Sequence, residues 1–141
     1  MPFHLIYEFR MPYQVLPFLG AQPAVNVQLE FGNQKTQTVG ILDSGSVLIV
    51  FDEEVARRLG IENIAEGRPI RGTSLGGPFQ LYLFDVNMTV LANGRMTRFP
   101  AQVGFRPGYQ NRNILGRNLV FSYFQVGFHE REQEVYLQPQ E

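Results

Sequence analysis

Asp43, Ser44 and Gly45 are the residues of this chain best suited by type and spacing to acid–base chemistry. They follow residues 38–42, whose apolar side chains Val39, Ile41 and Leu42 predict a buried strand. Burial disfavours the charged form of a carboxyl group, so a carboxylate is an unusual choice at a buried strand end. Gly45 permits a sharp turn or a close backbone approach directly beyond it. The pattern indicates a carboxylate held where a strand leaves the core, although these residue types also form ordinary solvated turns, and the three residues alone slightly favour that simpler interpretation.

Other chemistries find little support in the sequence. His4 and His129 lie at opposite ends of the chain, so no metal site is predicted, and both are interpreted as surface or strand residues. Ser44 has no histidine at a spacing that would make it a nucleophile. The glycine-rich residues 71–77 lack the lysine and the helix start of a phosphate loop. The absence of cysteine excludes disulfides and thiolate chemistry.

Composition limits the class of protein further. The chain has 141 residues, a length that suits one domain, and 44% of them are hydrophobic, enough for a real core. The net charge is −1 and the twelve basic residues are not clustered, so no nucleic-acid partner is predicted. No apolar run reaches the length of a membrane span, and the N-terminus lacks the pattern of a signal peptide. A cytoplasmic protein without a membrane partner is therefore expected.

Local patterns predict an all-β domain. Residues 25–31 alternate apolar and polar side chains, Gly32-Asn33 indicates a hairpin, and the return strand 34–42 would deliver Asp43. Further hairpins are predicted with tips at 72–77 and at Asn93-Gly94, and between strands 124–128 and 134–138.

One short helix and an N-terminal arm complete this prediction. A strand at 47–51 should lead into a helix at 53–59, with Asp52 as its N-cap and Gly60 as its end. Residues 118–123 are predicted as a short helix or a turn. Residues 1–23 are interpreted as an extended, aromatic-rich arm with one or two short strands, and residues 24–141 as the single domain.

Three motifs follow one another in a fixed order along the chain. They are Asp43-Ser44-Gly45-Ser46, the glycine-rich residues 71–78, and Ile114-Leu115-Gly116-Arg117-Asn118. Turns and strand ends would explain each motif separately but not their order. The ordered set, in a chain of this size, resembles the retropepsins, the retroviral-type aspartic proteases, over roughly residues 24–137.

The resemblance implies a single-domain retropepsin-like acid-protease fold. This fold is a closed β barrel or sandwich with a flap hairpin and one short helix, and it works as a homodimer. The implied function is an aspartic endopeptidase in which Asp43 of two subunits forms a dyad that activates a water. The implied substrate is an extended peptide or protein, and no cofactor or metal is required.

The resemblance also assigns supporting roles. Ser44 should hydrogen-bond across the dimer axis, Gly45 should admit the substrate backbone, and Gly116 should pack close to the catalytic turn. Arg117 pairs, in many retroviral members, with an acidic residue four positions after the catalytic aspartate. That position is Val47 here, so the ion pair is expected to be absent or rerouted. The flap is implied at Gly72, Thr73, Ser74, Leu75, Gly76 and Gly77.

Two other interpretations stay open. The chain could be a catalytically silent module with this fold that dimerises or binds peptides, or a regulatory protease that processes only itself or one partner. The intact Asp43-Ser44-Gly45 favours the active endopeptidase. Size in solution separates the interpretations, because a strict monomer cannot assemble the dyad.

Overall fold

The computed structural model describes residues 2–140, and β-strands account for 57% of it, which confirms a mainly β fold. The helical segments are α1 (Glu53–Arg58), a 3₁₀ turn (Ile64–Glu66) and α2 (Val120–Tyr123). The strands are β1 (Phe9–Pro12), β2 (Gln14–Leu16), β3 (Gly20–Gln22), β4 (Ala24–Phe31), β5 (Gln34–Leu42), β6 (Val50–Asp52), β7 (Arg68–Ser74), β8 (Gly77–Ala92), β9 (Arg95–Arg106), β10 (Ile114–Leu115), β11 (Phe124–His129) and β12 (Glu134–Pro139).

Seven strands form one sheet in the order β4-β5-β10-β6-β9-β8-β7. Strand β4 also pairs with the far part of β8, from Asn26↔Leu91 to Glu30↔Asn87, so the sheet closes on itself. Two of its hairpins form at the predicted turns. Asn93 and Gly94 both have positive φ, 48° and 80°, as the tight turn between β8 and β9 requires.

The core lies among the strands of this closed sheet and the segments packed on it. Strand β4 shows why, because Val25, Val27 and Leu29 alternate with polar residues and are at most 1% exposed. Each fully buried side chain of this kind stabilises the fold by roughly 1.5–3 kcal/mol. The largest of these side chains are Phe51, Phe99, Phe105, Phe124, Leu29, Ile49, Leu59, Met88, Leu115 and Leu137.

Two pairings in the sheet are parallel and join segments far apart in sequence. Strand β10 lies beside β5 with Ile114 opposite Ile41 and Leu115 opposite Leu42. Strand β6 lies beside β9 in the same way. The β5–β10 pairing brings the third sequence motif directly beside the first, because both strands end at the same edge.

The N-terminal segment contributes three short strands, where one or two were predicted. Strand β1 pairs with β12, which also pairs with β11, and β2 pairs with β3 in a separate hairpin. Phe9 and Tyr13 are buried against the core, whereas Phe3 and Phe18 are exposed. The aromatic side chains nearest β1 therefore cover the domain.

The predicted strand at 47–51 is wrong in its first half. Strand β6 begins only at Val50, because the preceding residues bond to the segment after β10. The Arg117 N–H donates to the Ser46 carbonyl (2.8 Å) and the Asn118 N–H to the Val47 carbonyl (2.9 Å). Val47 is consequently 54% exposed.

The helix prediction needs two corrections. Helix α1 ends at Arg58, one residue before the predicted end, with Gly60 beyond it at φ 81°. Helix α2 is a second short helix, so the expectation of one helix is incomplete; it lies within the region predicted as a helix or turn. No helix in residues 2–140 has the length and apolar character needed to cross a bilayer.

Candidate active site

Asp43 directly follows β5, at a point where the backbone is hydrogen-bonded to a neighbouring segment on each side. The Asp43 N–H donates to the Leu115 carbonyl (3.1 Å), and the Leu42 N–H donates to the Pro23 carbonyl (2.8 Å). Both bonds hold the backbone on the N-terminal side of the Asp43 Cα atom, where the chain enters the turn. Asp43 itself is half-buried, so its position is rigid while its carboxylate remains accessible.

A tight turn then orients the carboxylate. Oδ1 of Asp43 accepts the Gly45 N–H at 2.9 Å, and the Asp43 carbonyl accepts the Ser46 N–H at 3.2 Å. A Cβ atom on Gly45 would lie 3.2 Å from the same Oδ1, tighter than most such contacts, which favours glycine here. Oδ2 of Asp43 accepts no hydrogen bond from residues 2–140. One carboxylate oxygen is thus held and the other is available to a water or substrate.

Gly116 lies directly against the backbone that follows the turn. A Cβ atom at this position would be 2.2 Å from the Leu48 carbonyl oxygen and 2.7 Å from that of Ser46. Only glycine fits without moving the backbone. Gly116 is buried beside the turn that carries Asp43, whereas the neighbouring Arg117 is exposed and forms no ion pair within residues 2–140.

A cleft of about 950 Å³ opens between the Asp43 turn and the β7–β8 hairpin. The hairpin tip is exposed, and Ser74 stabilises it by accepting the Gly76 N–H and donating to the Gly77 carbonyl. The residues that line the cleft are Asp43, Gly45, Ser46, Val47, Leu48, Val50, Thr73, Ser74, Leu75, Gly76, Gly77, Pro78, Phe79, Leu81, Arg106, Gln110, Arg112 and Ile114.

The cleft brings together most of the residues singled out in the sequence. Asp43, Gly45 and residues 73–77 face one space. Ser44 is exposed on the turn outside this lining. Gly72 also lies outside it, under the Phe79 ring, where a Cβ atom would meet the ring at 2.5 Å. The cleft therefore combines one carboxylate, that of Asp43, with the tip of the β7–β8 hairpin.

The predicted N-cap position of Asp52 is confirmed, but capping of the helix by its side chain is not. Asp52 occupies the N-cap position of α1, but its side chain makes no cap hydrogen bond. Instead Oδ1 accepts two hydrogen bonds from the Arg106 guanidinium, the shorter at 2.6 Å. Oδ2 accepts the N–H groups of Gln110 (3.2 Å) and Asn111 (2.7 Å). Asp52 is only 3% exposed, and a buried charge requires such partners.

The loop between β9 and β10 supplies a wall of the cleft that sequence patterns did not reveal. Arg106, Gln110 and Arg112 all line it. Asn113 anchors the end of this loop, because its Nδ2 donates to Thr38 Oγ1 and its Oδ1 accepts the Asp52 N–H, both at 3.1 Å. No motif joins Asp52 to Arg106 in the sequence. Asp52 and Arg106 lie opposite each other because of the parallel register of β6 and β9, which is known only from the fold.

Metal binding would need several ligands close together. Within residues 2–140, no three His, Asp or Glu side chains lie together as the ligands of a metal ion would. Asp43 is the only acidic side chain among the cleft-lining residues that the structure describes. The arrangement is suited to proton transfer by one accessible carboxyl group.

Comparison with known families agrees with the geometry of the site. A family model described as aspartyl protease matches residues 25–119, a span that includes Asp43, the β7–β8 hairpin and Gly116. No curated protein matches the chain.

Proposed function

Because the chain belongs to the aspartyl protease family, in the retropepsin-like clan, we propose that it is an aspartic endopeptidase whose dyad consists of Asp43 from two copies. The observation that carries the proposal is the rigidly anchored Asp43 at the floor of a cleft covered by a hairpin. Hydrolysis by this chemistry needs two carboxyl groups, and the described lining of the cleft offers one. A two-fold axis beside the Asp43 turn supplies the second.

The two carboxyl groups share one proton, because like charges this close do not both ionise over a wide pH range. This is the known behaviour of aspartic-protease dyads. The ionised member takes a proton from a water, which attacks the scissile carbonyl carbon. The protonated member donates a hydrogen bond to the carbonyl oxygen and stabilises the charge that develops there. The leaving nitrogen then takes the proton that the water gave to the dyad, the carbon–nitrogen bond breaks as the carbonyl re-forms, and the dyad keeps its single proton.

The turn residues support both dimerisation and substrate binding. Ser44 and Gly45 are exposed at the end of the cleft, so a second copy can approach them. The Ser44 hydroxyl hydrogen-bonds to the partner's backbone, and the Gly45 carbonyl accepts from the substrate. Arg117 has no ion-pair partner within residues 2–140 and does not share in the ion pair typical of retroviral members.

The β7–β8 hairpin acts as the flap. Its tip, with Leu75 fully exposed and Gly77 at φ 107°, lies on the opposite side of the cleft from Asp43. Closure over an extended peptide excludes water and adds main-chain hydrogen bonds to the substrate. The apolar lining of the cleft then contacts the substrate side chains on each side of the scissile bond.

Substitution of Asp43 tests the function. Asp43→Asn keeps the shape of the side chain and the acceptor for Gly45 but removes the titrating proton. We expect cleavage of an unstructured protein mixture to fall by about 10³-fold across a pH series. Asp85→Asn is the matched control, because Asp85 is exposed and lies outside the lining of this cleft. Sedimentation of the wild type at high micromolar concentration should show a dimer.

Two outcomes would refute the proposal. Equal cleavage by the wild type and Asp43→Asn would show that Asp43 is structural or that a contaminant cuts. A wild-type dimer that cleaves nothing at any pH would favour a module that binds peptides without hydrolysing them.

A further inference from the structure

The charged side chains that line the cleft include one cation that forms no ion pair with any residue of 2–140. Within residues 2–140 they are Asp43, Arg106 and Arg112. The Arg106 guanidinium is already neutralised by Asp52, at 2.6 Å. Arg112 is exposed, and its side chain forms no ion pair or hydrogen bond with any described residue. A positive charge without a partner therefore lines the same cleft as Asp43.

The backbone that carries Arg112 is held on both sides. The carbonyl of Arg112 accepts a hydrogen bond from the Arg106 guanidinium. The preceding residues donate two N–H groups to the Asp52 carboxylate, and Asn113 is bonded to β5 and β6. The Arg112 side chain thus projects from a fixed segment rather than from a loose loop tip. A fixed origin lowers the entropy cost when the guanidinium binds a charged group.

We propose that Arg112 gives the cleft a preference for peptides with an acidic side chain beside the scissile bond, an inference that rests on the proposed function. A guanidinium binds a carboxylate through two parallel hydrogen bonds, which amides and hydroxyls cannot reproduce.

The same charge offsets a cost at the dyad. The two Asp43 carboxyl groups carry one net negative charge in the active form, which repels an acidic substrate side chain nearby. Arg112 compensates this repulsion. In a two-fold dimer Arg112 occurs once on each side of the dyad, so the preference applies on both sides of the scissile bond.

Peptides that differ in one side chain test the inference. Matched peptides carry Glu, Gln or Lys at each position flanking a cleavage site chosen from a degenerate peptide mixture. We expect kcat/KM for Glu to exceed that for Gln by about 5- to 10-fold, with the ratio falling as salt screens the charge. Arg112→Gln abolishes the difference in kcat/KM between the Glu and Gln peptides while cleavage of the Gln peptide continues. Arg112→Glu reverses the preference in favour of the Lys peptide. Arg131→Gln changes an exposed arginine outside the cleft lining and leaves the Glu-to-Gln ratio of kcat/KM unchanged.

Binding to the Asp43→Asn variant separates a failure of the inference from a failure of the proposed function. Fluorescence anisotropy measures, without cleavage, the affinity of matched Glu and Gln peptides that are selected from the same mixture by their binding to this variant. Tighter binding of the Glu peptide, lost on adding Arg112→Gln, supports the inference even if the wild type cleaves nothing. Equal binding of both peptides, or a wild-type ratio that survives Arg112→Gln, overturns it.

Discussion

Gly116→Ala should abolish most of the proposed peptidase activity by moving the Asp43 turn. The added Cβ atom would meet two carbonyl oxygens, of Leu48 at 2.2 Å and of Ser46 at 2.7 Å. Both belong to the backbone that follows Asp43, so no side-chain rotation relieves the contact. To reach 3.0 Å, below which real Cβ atoms are essentially never found, the Leu48 carbonyl must retreat by about 0.8 Å.

The displacement sets the size of the effect. A misplacement of about 1 Å in a catalytic arrangement can lower the rate by about 10²-fold. Overpacking of this kind also destabilises a fold by about 1–3 kcal/mol. We therefore expect kcat/KM to fall by about 10²-fold while the variant remains folded.

Gly67→Ala is the matched control for this change. Its Cβ atom would meet another backbone oxygen, that of Leu83 at 2.8 Å, away from the lining of the cleft. Urea unfolding followed by circular dichroism gives the stability of both variants, and peptide cleavage gives kcat/KM. A folded Gly116→Ala variant that cleaves like the wild type would refute the reasoning. So would a loss of activity in Gly67→Ala as large as that in Gly116→Ala.

Two further predictions concern stability. Asp52→Ala leaves the largely buried Arg106 without its counter-charge and should lower the free energy of unfolding, measured in urea, by about 3–5 kcal/mol. Adding Arg106→Met should recover part of this loss. A loss no larger than that caused by breaking an exposed ion pair would contradict the prediction. Burial, and then the hydrogen bond to Glu130, raise the pKa of Tyr13 above its ordinary 10.0. The stability that this gives is complete below pH 10 and is lost as pH rises through the folded-state pKa, so Tyr13→Phe should show a flatter alkaline decline in chemical denaturation.

Local patterns predicted the strand that ends at Asp43 and two of the hairpins. Strand β5 has the predicted bounds, and Gly32-Asn33 and Asn93-Gly94 form the predicted hairpins. In each case the information lies in a few adjacent residues, through period-two alternation or the positive φ that glycine and asparagine tolerate. The spacing of the motifs likewise pointed to the family that the comparison supports.

The errors arose where distant residues decide the local structure. Apolar character from residue 47 onward predicted a strand, but the Ser46 and Val47 carbonyls bond to Arg117 and Asn118 instead of to a strand of the sheet. Asp52 has the sequence context of a helix cap, but Arg106, which pairs with it, lies in a strand brought alongside by a parallel register. Such pairings leave no periodic trace in the sequence, because each partner looks like an ordinary charged surface residue.

Asn113 joins the floor of the site to its wall. Its backbone carbonyl accepts the Ile41 N–H at 2.9 Å, two residues before Asp43, and its side chain bonds to Thr38 and to the Asp52 N–H. The strand that positions the carboxylate and the loop that carries Arg112 are thus fixed by one residue. The backbone segments that carry the group proposed to cleave and the group proposed to select the substrate therefore keep a constant relative position, since neither segment can shift without breaking bonds that the other also uses.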